Sequence, residues 1–370
     1  MSALAAATGA INLGQGFPDQ DGPAEVLEAA VAAVRGGANQ YPPGRGTPEL
    51  RQAIADHQEH WYGLTVDADR QVLVTAGATE ALAATLLAFV EPGDEVVTFE
   101  PFYDAYGALI RLAGGTHVTV PLTAPDFLPD EQTLRAAFSD RTKVVLVNTP
   151  HNPTGRVLPR EVLATVLELA ERHDALVVTD EVYEHLTFGT PHVPIATLPG
   201  AADRTITISS SGKTFSTTGW KIGWLTAAPE LVDAVVSVKQ YLTFVNGAPF
   251  QPAIAAGLRL PDEVFHGIAR ELAAKHELLS AGLRAAGFDV VRPDAGYFVI
   301  ADTAPLGYDD AREFCLRLPE LAGVVGVPVS AFVRPERSSG YRSLVRFAFC
   351  KRREVLAEAA TRLAALDPAR

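Results

Sequence analysis

The segment 205–224 places a lysine where its amine is suited to covalent chemistry. A β-rich run at 205–208 breaks into three serines and a glycine; Lys213 follows, and Lys221 comes eight residues later. Desolvation and a second nearby cation each lower the pKa of a lysine from its reference value of about 10.4, and a neutral amine forms imines with carbonyl compounds. Taken alone, the same segment also fits a solvated loop rich in serine and glycine.

Other groups with suitable chemistry follow the apolar runs upstream of this lysine. Gly77, Ala78 and Thr79 open a helix whose free N–H groups and dipole can receive a phosphate. Tyr103 offers a ring that can stack on a flat heterocycle, and an Asn-Pro turn presents Asn152. Each of these features is also common as a plain helix start or turn.

A carboxylate and a phenol complete the set. Asp180 and Tyr183 lie three residues apart, directly after the apolar run 176–179. Asp180 could bind a ligand or could instead cap the next helix. An ionised Asp180 would keep a pyridine nitrogen protonated and make the ring an electron sink. Tyr183 and Asn152 can bond the phenolic oxygen of that ring, while Ser210 and Lys221 supply donors for a phosphate ester. The ligand that these groups describe together is pyridoxal 5'-phosphate, attached through the lysine.

These residues must be positioned by a repeating series of strands and helices. Short β-branched runs at 72–74, 96–99, 116–120, 144–147, 176–179 and 205–208 alternate with helical segments, and the last run closes the series. This pattern predicts an α/β fold with a mostly parallel sheet that is buried on both faces. Such sheets bind ligands beyond the carboxyl ends of their strands, which is where the candidate residues lie.

The C-terminal third has a different texture. Helices are predicted at 262–286, 309–318 and 353–366, and strands at 288–292, 295–300 and 343–349. This is an α+β module, and the N-terminal segment is expected to pack with it. We therefore predict a large domain at 36–256 and a small domain formed by 1–35 and 257–370.

Composition excludes several functional classes. The 370 residues are 48% hydrophobic and 20% charged, with a net charge of −13, which argues against broad nucleic-acid or membrane surfaces. No run approaches the length of a membrane-spanning helix, and the N-terminus lacks a secretory signal. Cys315 and Cys350 form neither a disulfide framework nor a metal cluster, so we expect a cytoplasmic protein without a metal.

Eight motifs resemble the fold-type-I, pyridoxal-phosphate-dependent aminotransferases of class I/II. They are NLGQGFPD at 12–19, NQYPPGRG at 39–46, GATEAL at 77–82, EPFYDAY at 100–106, NTPHNPTG at 148–155, TDEVYEHL at 179–186, SSSGKTFSTTGWKIGW at 209–224 and VRFAFCK at 345–351. The resemblance covers nearly the whole chain. It implies a homodimer with shared active sites and ping-pong transfer of an amino group between an L-amino acid and a 2-oxo acid.

The resemblance also implies individual roles. Lys213 would carry the cofactor and then act as general base, with Asp180 and Tyr183 as its catalytic partners. Arg346 would bind the substrate α-carboxylate beside Gly14 and Asn152. Arg346 could instead be one more cation of a basic tail, but its position in an alternating strand favours an inward guanidinium, and bidentate carboxylate binding requires arginine.

Tyr41 would reach the cofactor phosphate of the neighbouring subunit. The family usually has some twenty residues before the NLGQGFPD-like motif, which form an arm at the dimer interface. Eleven residues precede Asn12, so we expect this arm to be shortened or absent.

Within the family, the chain is similar to N-succinyldiaminopimelate, kynurenine/glutamine and methionine aminotransferases. The segment Lys239–Ala253 favours the first, and Asn246-Gly247 stands where kynurenine enzymes carry Phe-His. We therefore expect N-succinyl-LL-diaminopimelate with 2-oxoglutarate, as in lysine biosynthesis. Arg45 is a hypothetical reader of a distal substrate carboxylate in the partner subunit; the alternative is a solvated loop arginine.

Two alternatives remain open. The core motifs do not dictate which bond of the α-carbon breaks, so a carbon–sulfur β-lyase would have the same residues. A ligand-sensing regulator built on this fold would need a basic helix-turn-helix segment, for which the eleven residues before Asn12 give no room.

Overall fold

The computed structural model describes residues 1–366 as a helix-flanked arrangement of three β-sheets. The strands are β1 (Ile11–Asn12), β2 (Val72–Ala76), β3 (Glu95–Glu100), β4 (Thr116–Thr123), β5 (Leu128–Pro129), β6 (Thr142–Asn148), β7 (Leu176–Asp180), β8 (Thr205–Ser210), β9 (Ile222–Thr226), β10 (Asp289–Val291), β11 (Phe298–Asp302), β12 (Val324–Val325), β13 (Val327–Pro328) and β14 (Leu344–Ala348). The helices are α1 (Ser2–Thr8), α2 (Ala24–Arg35), α3 (Pro48–Tyr62), α4 (Gly77–Phe89), α5 (Ala105–Leu112), α6 (Glu131–Ala136), α7 (Arg160–Arg172), α8 (Ser211–Thr214), α9 (Pro229–Lys239), α10 (Phe250–Leu258), α11 (Asp262–Ala285), α12 (Ala311–Ala322) and α13 (Arg353–Ala364).

The largest sheet has eight strands in the order β2-β9-β8-β7-β6-β3-β4-β5. Neighbours from β8 to β4 run parallel, whereas β2, β9 and β5 pair antiparallel. Alternate side chains of the parallel strands enter two separate cores: Val97, Val145 and Val177 meet α7, and Val96, Val144 and Val178 meet α4, α5 and α9. The predicted mostly parallel sheet, buried on both faces, is therefore present.

Strand β9 corrects the predicted series, which wrongly ended at 205–208. It lies between β2 and β8 and is antiparallel to both. Gly223 interrupts the apolar pattern that predicts a strand. Glycine inside a strand often marks a place where another backbone approaches closely. A Cβ atom at Gly223 would lie 2.5 Å from the backbone carbon of Gly77, so the start of α4 packs directly on this strand.

The second sheet is antiparallel, in the order β10-β11-β14-β13, and α11 and α13 pack beside it. Strand β1 pairs in parallel with β12, which joins the N-terminal segment to the C-terminal third as expected. Helix α2 instead shares a core with α3 and α10. The domain boundaries at 35/36 and 256/257 stay predictions, and residues 367–370 of the predicted small domain lie outside the described residues.

Several element bounds differ from the predicted ones. Helices α2 and α3 match the bounds predicted from the sequence, 24–35 and 48–62. Helix α5 begins three residues later than the predicted helix 102–112, and α12 continues past Pro319 to Ala322. Helix α1 was not predicted; it ends at Gly9, which has a left-handed conformation with φ of 66°. Across residues 1–366, we find no helix that combines the length and the apolar character needed to cross a membrane.

Candidate active site

The carboxyl ends of β6, β7 and β8 and the first turn of α4 enclose a cavity of about 200 Å³. Ten of the eleven residues that the sequence predicts to bind the cofactor line this cavity: Gly77, Ala78, Thr79, Tyr103, Asn152, Asp180, Tyr183, Ser210, Lys213 and Lys221. The eleventh is Tyr41. The parallel sheet explains the convergence, because the ends of its strands meet at one edge.

Lys213 lies in α8, directly after the buried strand β8. Its Nζ atom donates a hydrogen bond to the carbonyl of Gly16, at 3.3 Å, and lies 5.8 Å and 5.7 Å from the ring centres of Tyr183 and Tyr297. The hydroxyl of Tyr297 donates to the Lys213 carbonyl and fixes the backbone of the short helix. Burial lowers the pKa of Lys213, with Lys221 as a smaller cause, in the direction that the sequence predicts.

Asp180 ends β7 and faces the same cavity. The hydroxyl of Tyr106 donates to its Oδ2 atom at 2.6 Å, and the N–H of Val182 donates to Oδ1 at 3.4 Å. Burial raises the pKa of Asp180, whereas the bond from Tyr106 opposes this shift, as does the charge of Lys213. The carboxylate is thus a buried acceptor held by fixed donors.

Sequence reasoning missed Tyr106. Its signal in the sequence was its position three residues after Tyr103, in the segment that leads into α5. The two rings meet edge to face, with centres 5.6 Å apart.

A second missed residue, Asn148, connects the turn after β6 to β7. It is the register partner of Asp180 across the two strands. Its Nδ2 atom donates to the Asp180 carbonyl at 2.8 Å, and its Oδ1 atom accepts from the N–H of Asn152 at 2.7 Å. Asn148 therefore fixes the turn that presents Asn152.

The first turn of α4 forms a cationic end of the cavity. Gly77 has φ of 73°, and a Cβ atom there would lie 3.4 Å from Nζ of Lys221, so the ammonium group sits against the exposed N–H groups of the helix. Asn246 holds this arrangement by donating from Nδ2 to the carbonyls of Thr75, at 3.0 Å, and Lys221, at 3.1 Å. Helix N–H groups beside an ammonium group favour a phosphate.

Arg346 projects from β14 into the interior beside the cavity. Its Nη1 atom donates to Oδ1 of Asn152 and its Nη2 atom donates to the carbonyl of Gly14, both at 3.0 Å. The guanidinium carbon lies over the rings of Phe298 and Phe332, 3.9 Å and 4.3 Å from their centres. Nε is buried and has no partner in the described part of the chain, and burial lowers the pKa of Arg346 to about 10. The structure therefore brings together Gly14, Asn152 and Arg346 as a candidate carboxylate site.

Two predicted residues of the 39–46 loop lie away from the cavity of their own chain. Tyr41 is 82% exposed and touches only the edge of Phe244 among the ring contacts of the described residues. Arg45 forms an ion pair with Asp233 and donates to the carbonyl of Arg70. The ion pair gives Arg45 a structural role in this chain.

Comparison with known proteins identifies the family. Residues 8–363 match the family described as aminotransferase class I and II. A probable N-succinyldiaminopimelate aminotransferase of Mycobacterium tuberculosis is 50% identical, covering 99% of this chain and 94% of the relative. The methionine aminotransferase of Escherichia coli is 39% identical, covering 98% and 94%.

Solved structures agree with these matches. The N-succinyldiaminopimelate aminotransferase structure from M. tuberculosis superposes with a TM-score of 0.96 at 50% identity, covering 99% of this chain and 96% of that one. A Thermus thermophilus aspartate aminotransferase mutant gives 0.88 at 35% identity, covering 98% and 95%. The predicted fold type I and the predicted aminotransferase activity are confirmed, and the chain belongs to the aminotransferase class I and II family.

Proposed function

We propose that this aminotransferase binds pyridoxal 5'-phosphate in the cavity around Lys213 and uses N-succinyl-LL-diaminopimelate as amino donor and 2-oxoglutarate as acceptor. The observation that carries the cofactor assignment is the shared cavity of Lys213 and Asp180, with Lys221 and the start of α4 at its other end. The amine of Lys213, whose pKa is lowered, can react with an aldehyde, and the buried Asp180 carboxylate can pair with a pyridine nitrogen. The cationic pocket at the start of α4 can bind a phosphate. The residues present therefore fit the cofactor.

Bound pyridoxal 5'-phosphate supplies an aldehyde and an electron-withdrawing ring that stabilises negative charge at the substrate α-carbon. Asp180, held by Tyr106, would keep the ring nitrogen protonated. Tyr183 and Asn152 would donate to the ring oxygen, and Tyr103 would cover one ring face. Ser210, Thr79 and Lys221 would bind the phosphate, together with the N–H groups of Gly77 and Ala78.

The chain's own residues then position the amino acid. Arg346 would bind the α-carboxylate with Asn152 and the Gly14 carbonyl around it. Lys213, as a neutral amine, would act as general base and accept the substrate α-proton at Nζ. Tyr297 and Phe298 line the substrate side and would exclude water.

The substrate assignment rests on the 50% identity to the N-succinyldiaminopimelate aminotransferase and on the loop 239–253. In this loop, the side-chain amide of Asn246 donates to the carbonyls of Thr75 and Lys221, and this position carries no aromatic ring that could stack on kynurenine. The methionine aminotransferase at 39% identity supports methionine as the second candidate donor. If N-succinyl-LL-diaminopimelate is the donor, the enzyme acts in lysine biosynthesis.

We also propose a homodimer in which Tyr41 contacts the cofactor phosphate of the partner subunit. Tyr41 contacts Phe244, which is close in sequence to Tyr241 and Leu242. All four side chains are exposed: Tyr41 to 82%, Tyr241 to 84%, Leu242 to 45% and Phe244 to 51%. A patch of this kind is typical of an interface. The two cysteines are free and buried, which fits the proposed cytoplasmic location.

A screen of amino donors with 2-oxoglutarate tests the substrate. N-succinyl-LL-diaminopimelate, methionine, glutamine and kynurenine are compared by kcat/KM, and pyruvate release from cystathionine measures β-elimination. We expect the first donor to exceed the others by at least about tenfold, or ~1.4 kcal/mol of transition-state stabilisation. A higher kcat/KM for methionine, or dominant pyruvate release, would refute this assignment.

Replacement of the lysine tests the cofactor site independently of the substrate. Lys213→Ala should abolish turnover with every donor and remove both the visible absorption band of the lysine-bound cofactor and its fixation by borohydride. Lys275→Ala is the control, because Lys275 is also buried but pairs with Glu271 and donates to Oε1 of Gln20 outside the cavity. Cofactor that borohydride still fixes to Lys213→Ala would contradict the proposal.

A further inference from the structure

A second cluster of chemically capable side chains lies outside the proposed cofactor cavity. His57 comes from α3, and Glu184 and His185 follow β7; one ligand atom from each lies within 4.8 Å of the others. His57 and Glu184 are buried, at 3% and 6% exposure, and His185 is partly buried. The proposed amino-transfer chemistry uses none of these three residues. The sequence did not predict the cluster because 128 residues separate the two histidines.

Hydrogen bonds hold the three groups close together. The Nε2 atoms of His57 and His185 lie 2.6 Å apart, so one ring donates to the other. The carboxylate of Glu184 accepts from the hydroxyl of Tyr62, at 2.6 Å, and from that of Ser209. Metal-binding carboxylates are commonly oriented by hydrogen bonds of this kind.

The histidine pair lacks the hydrogen bonds expected of a purely structural pair. Nδ1 of His57 is buried and has no partner among residues 1–366, which leaves a polar atom unsatisfied in the interior.

A cavity gives an ion access to the cluster. Its volume is about 710 Å³, and Glu184 and His185 form part of its wall together with Tyr62, His192 and the aromatic rings of Trp61 and Phe265. His192 is paired with Glu181 through Nε2 and Oε2, 2.8 Å apart. The cavity leaves room for water at a fourth coordination position.

We propose that His57, His185 and Glu184 bind a divalent transition-metal ion, with zinc as the best match to two imidazoles and one carboxylate. Bonds of 2.0–2.1 Å in tetrahedral geometry require the two Nε2 atoms to move apart to about 3.3 Å. The ring that now donates between the histidines would carry its proton on Nδ1 instead. Metal binding at this cluster would not make or break any bond of the cofactor or of the substrate.

Metal titration of the holoenzyme tests this proposal. Chelator-treated holoenzyme is dialysed and titrated with Co²⁺, whose d–d absorption reports tetrahedral coordination, and Zn²⁺ is then added as competitor. We expect one equivalent of Co²⁺ per chain, a visible d–d spectrum and complete displacement by Zn²⁺. Absence of stoichiometric binding by the wild-type protein would overturn the proposal.

Matched variants locate the ion. His57→Gln and His185→Gln should each weaken Co²⁺ binding by more than about tenfold, and Tyr62→Phe, which only loosens Glu184, should weaken it less. His266→Gln is the control, because His266 lines the same cavity but is not part of the cluster. Circular dichroism confirms that each variant is folded. Wild-type affinity in either folded cluster variant, or equal loss in His266→Gln, would refute the assignment.

Discussion

The bond from Tyr106 to Asp180 shows how a single hydroxyl sets the charge of the proposed site. Burial favours the protonated carboxyl group, whereas the Tyr106 hydroxyl at 2.6 Å favours the carboxylate. The proposed cofactor chemistry requires the carboxylate. Tyr106 is therefore a positioning residue that acts through Asp180.

Removal of this hydroxyl should change the pH dependence of the enzyme. In Tyr106→Phe, the pKa of Asp180 rises because a donor to its charged form is lost, so the acid limb of the kcat–pH profile moves to higher pH. We expect kcat at neutral pH to fall by about tenfold, which corresponds to ~1.4 kcal/mol.

Tyr341→Phe is the control for the loss of a buried hydroxyl. Tyr341 donates to the carbonyls of Glu100, at 3.0 Å, and Leu122, at 2.9 Å, away from the cavity. Its removal should affect stability but leave the acid limb in place. Identical acid limbs in Tyr106→Phe and the wild type would contradict the role of Tyr106.

Residues that we propose to contact a ligand directly were easier to predict than the residues that position them. Lys213 and Asp180 stand at strand ends, where the pattern alone indicates a site. Tyr106 and Asn148 act through Asp180 and Asn152, and their types fit a core helix or a strand end equally well. The Phe298 and Phe332 rings around Arg346 come from separate elements, so only the folded chain shows this contact.

At the scale of elements, the contact between α11 and α13 depends on one glycine. Gly282 of α11 is buried, and a Cβ atom there would lie 2.6 Å from Cα of Ala360 in α13. The helices can approach so closely because this position has no side chain. Gly267 lies near the start of the same helix, where a Cβ atom would meet only the side chain of Arg270, at 3.9 Å.

The two glycines make a matched pair for a stability measurement. Gly282→Ala should destabilise the protein by about 1–3 kcal/mol because the added methyl group forces the helices apart. Gly267→Ala should stabilise it by about 0.5–1 kcal/mol because alanine has the higher helix propensity. Urea unfolding midpoints of both variants check the prediction, and equal shifts in the same direction would disprove it.

Elements with strong periodicity were predicted most closely. Helices α2 and α3 match to the residue because each has a clear stop: Gly36-Gly37 after the first, and Gly63 in a left-handed conformation after the second. Strand β9 was missed because it contains Gly223, a residue with low strand propensity. Glycine is needed there because the backbone of Gly77 packs directly against it. The two-residue strands β1 and β12 are too short to leave any pattern, and only their pairing defines them.

At the scale of the whole molecule, the proposed dimer would bring the exposed patch around Tyr41 to the site of the partner subunit. Tyr41 faces away from the cavity of its own chain, and its loop is held by the ion pair of Arg45 with Asp233. A closed dimer with two equivalent interfaces would let each Tyr41 serve the other subunit.

Complementation between two defective variants tests this arrangement. Tyr41→Ala should weaken cofactor binding, and Lys213→Ala should be inactive. A heterodimer purified with two different tags should regain about half of the wild-type activity at limiting cofactor, because one of its two sites then carries neither substitution. If Tyr41 serves its own chain, every site keeps one defect, and the heterodimer shows no more than half the activity of the Tyr41→Ala homodimer.

The aromatic side chains near Arg346 have a consequence for the shape of the anion it accepts. The guanidinium carbon lies over the rings of Phe298 and Phe332, 3.9 Å and 4.3 Å from their centres, so these rings limit the space around the cation. We expect a planar carboxylate to fit this space better than a bulkier tetrahedral group. Phosphonic and sulfonic analogues of the amino acid should therefore bind more weakly than the carboxylic acid, although they also carry negative charge.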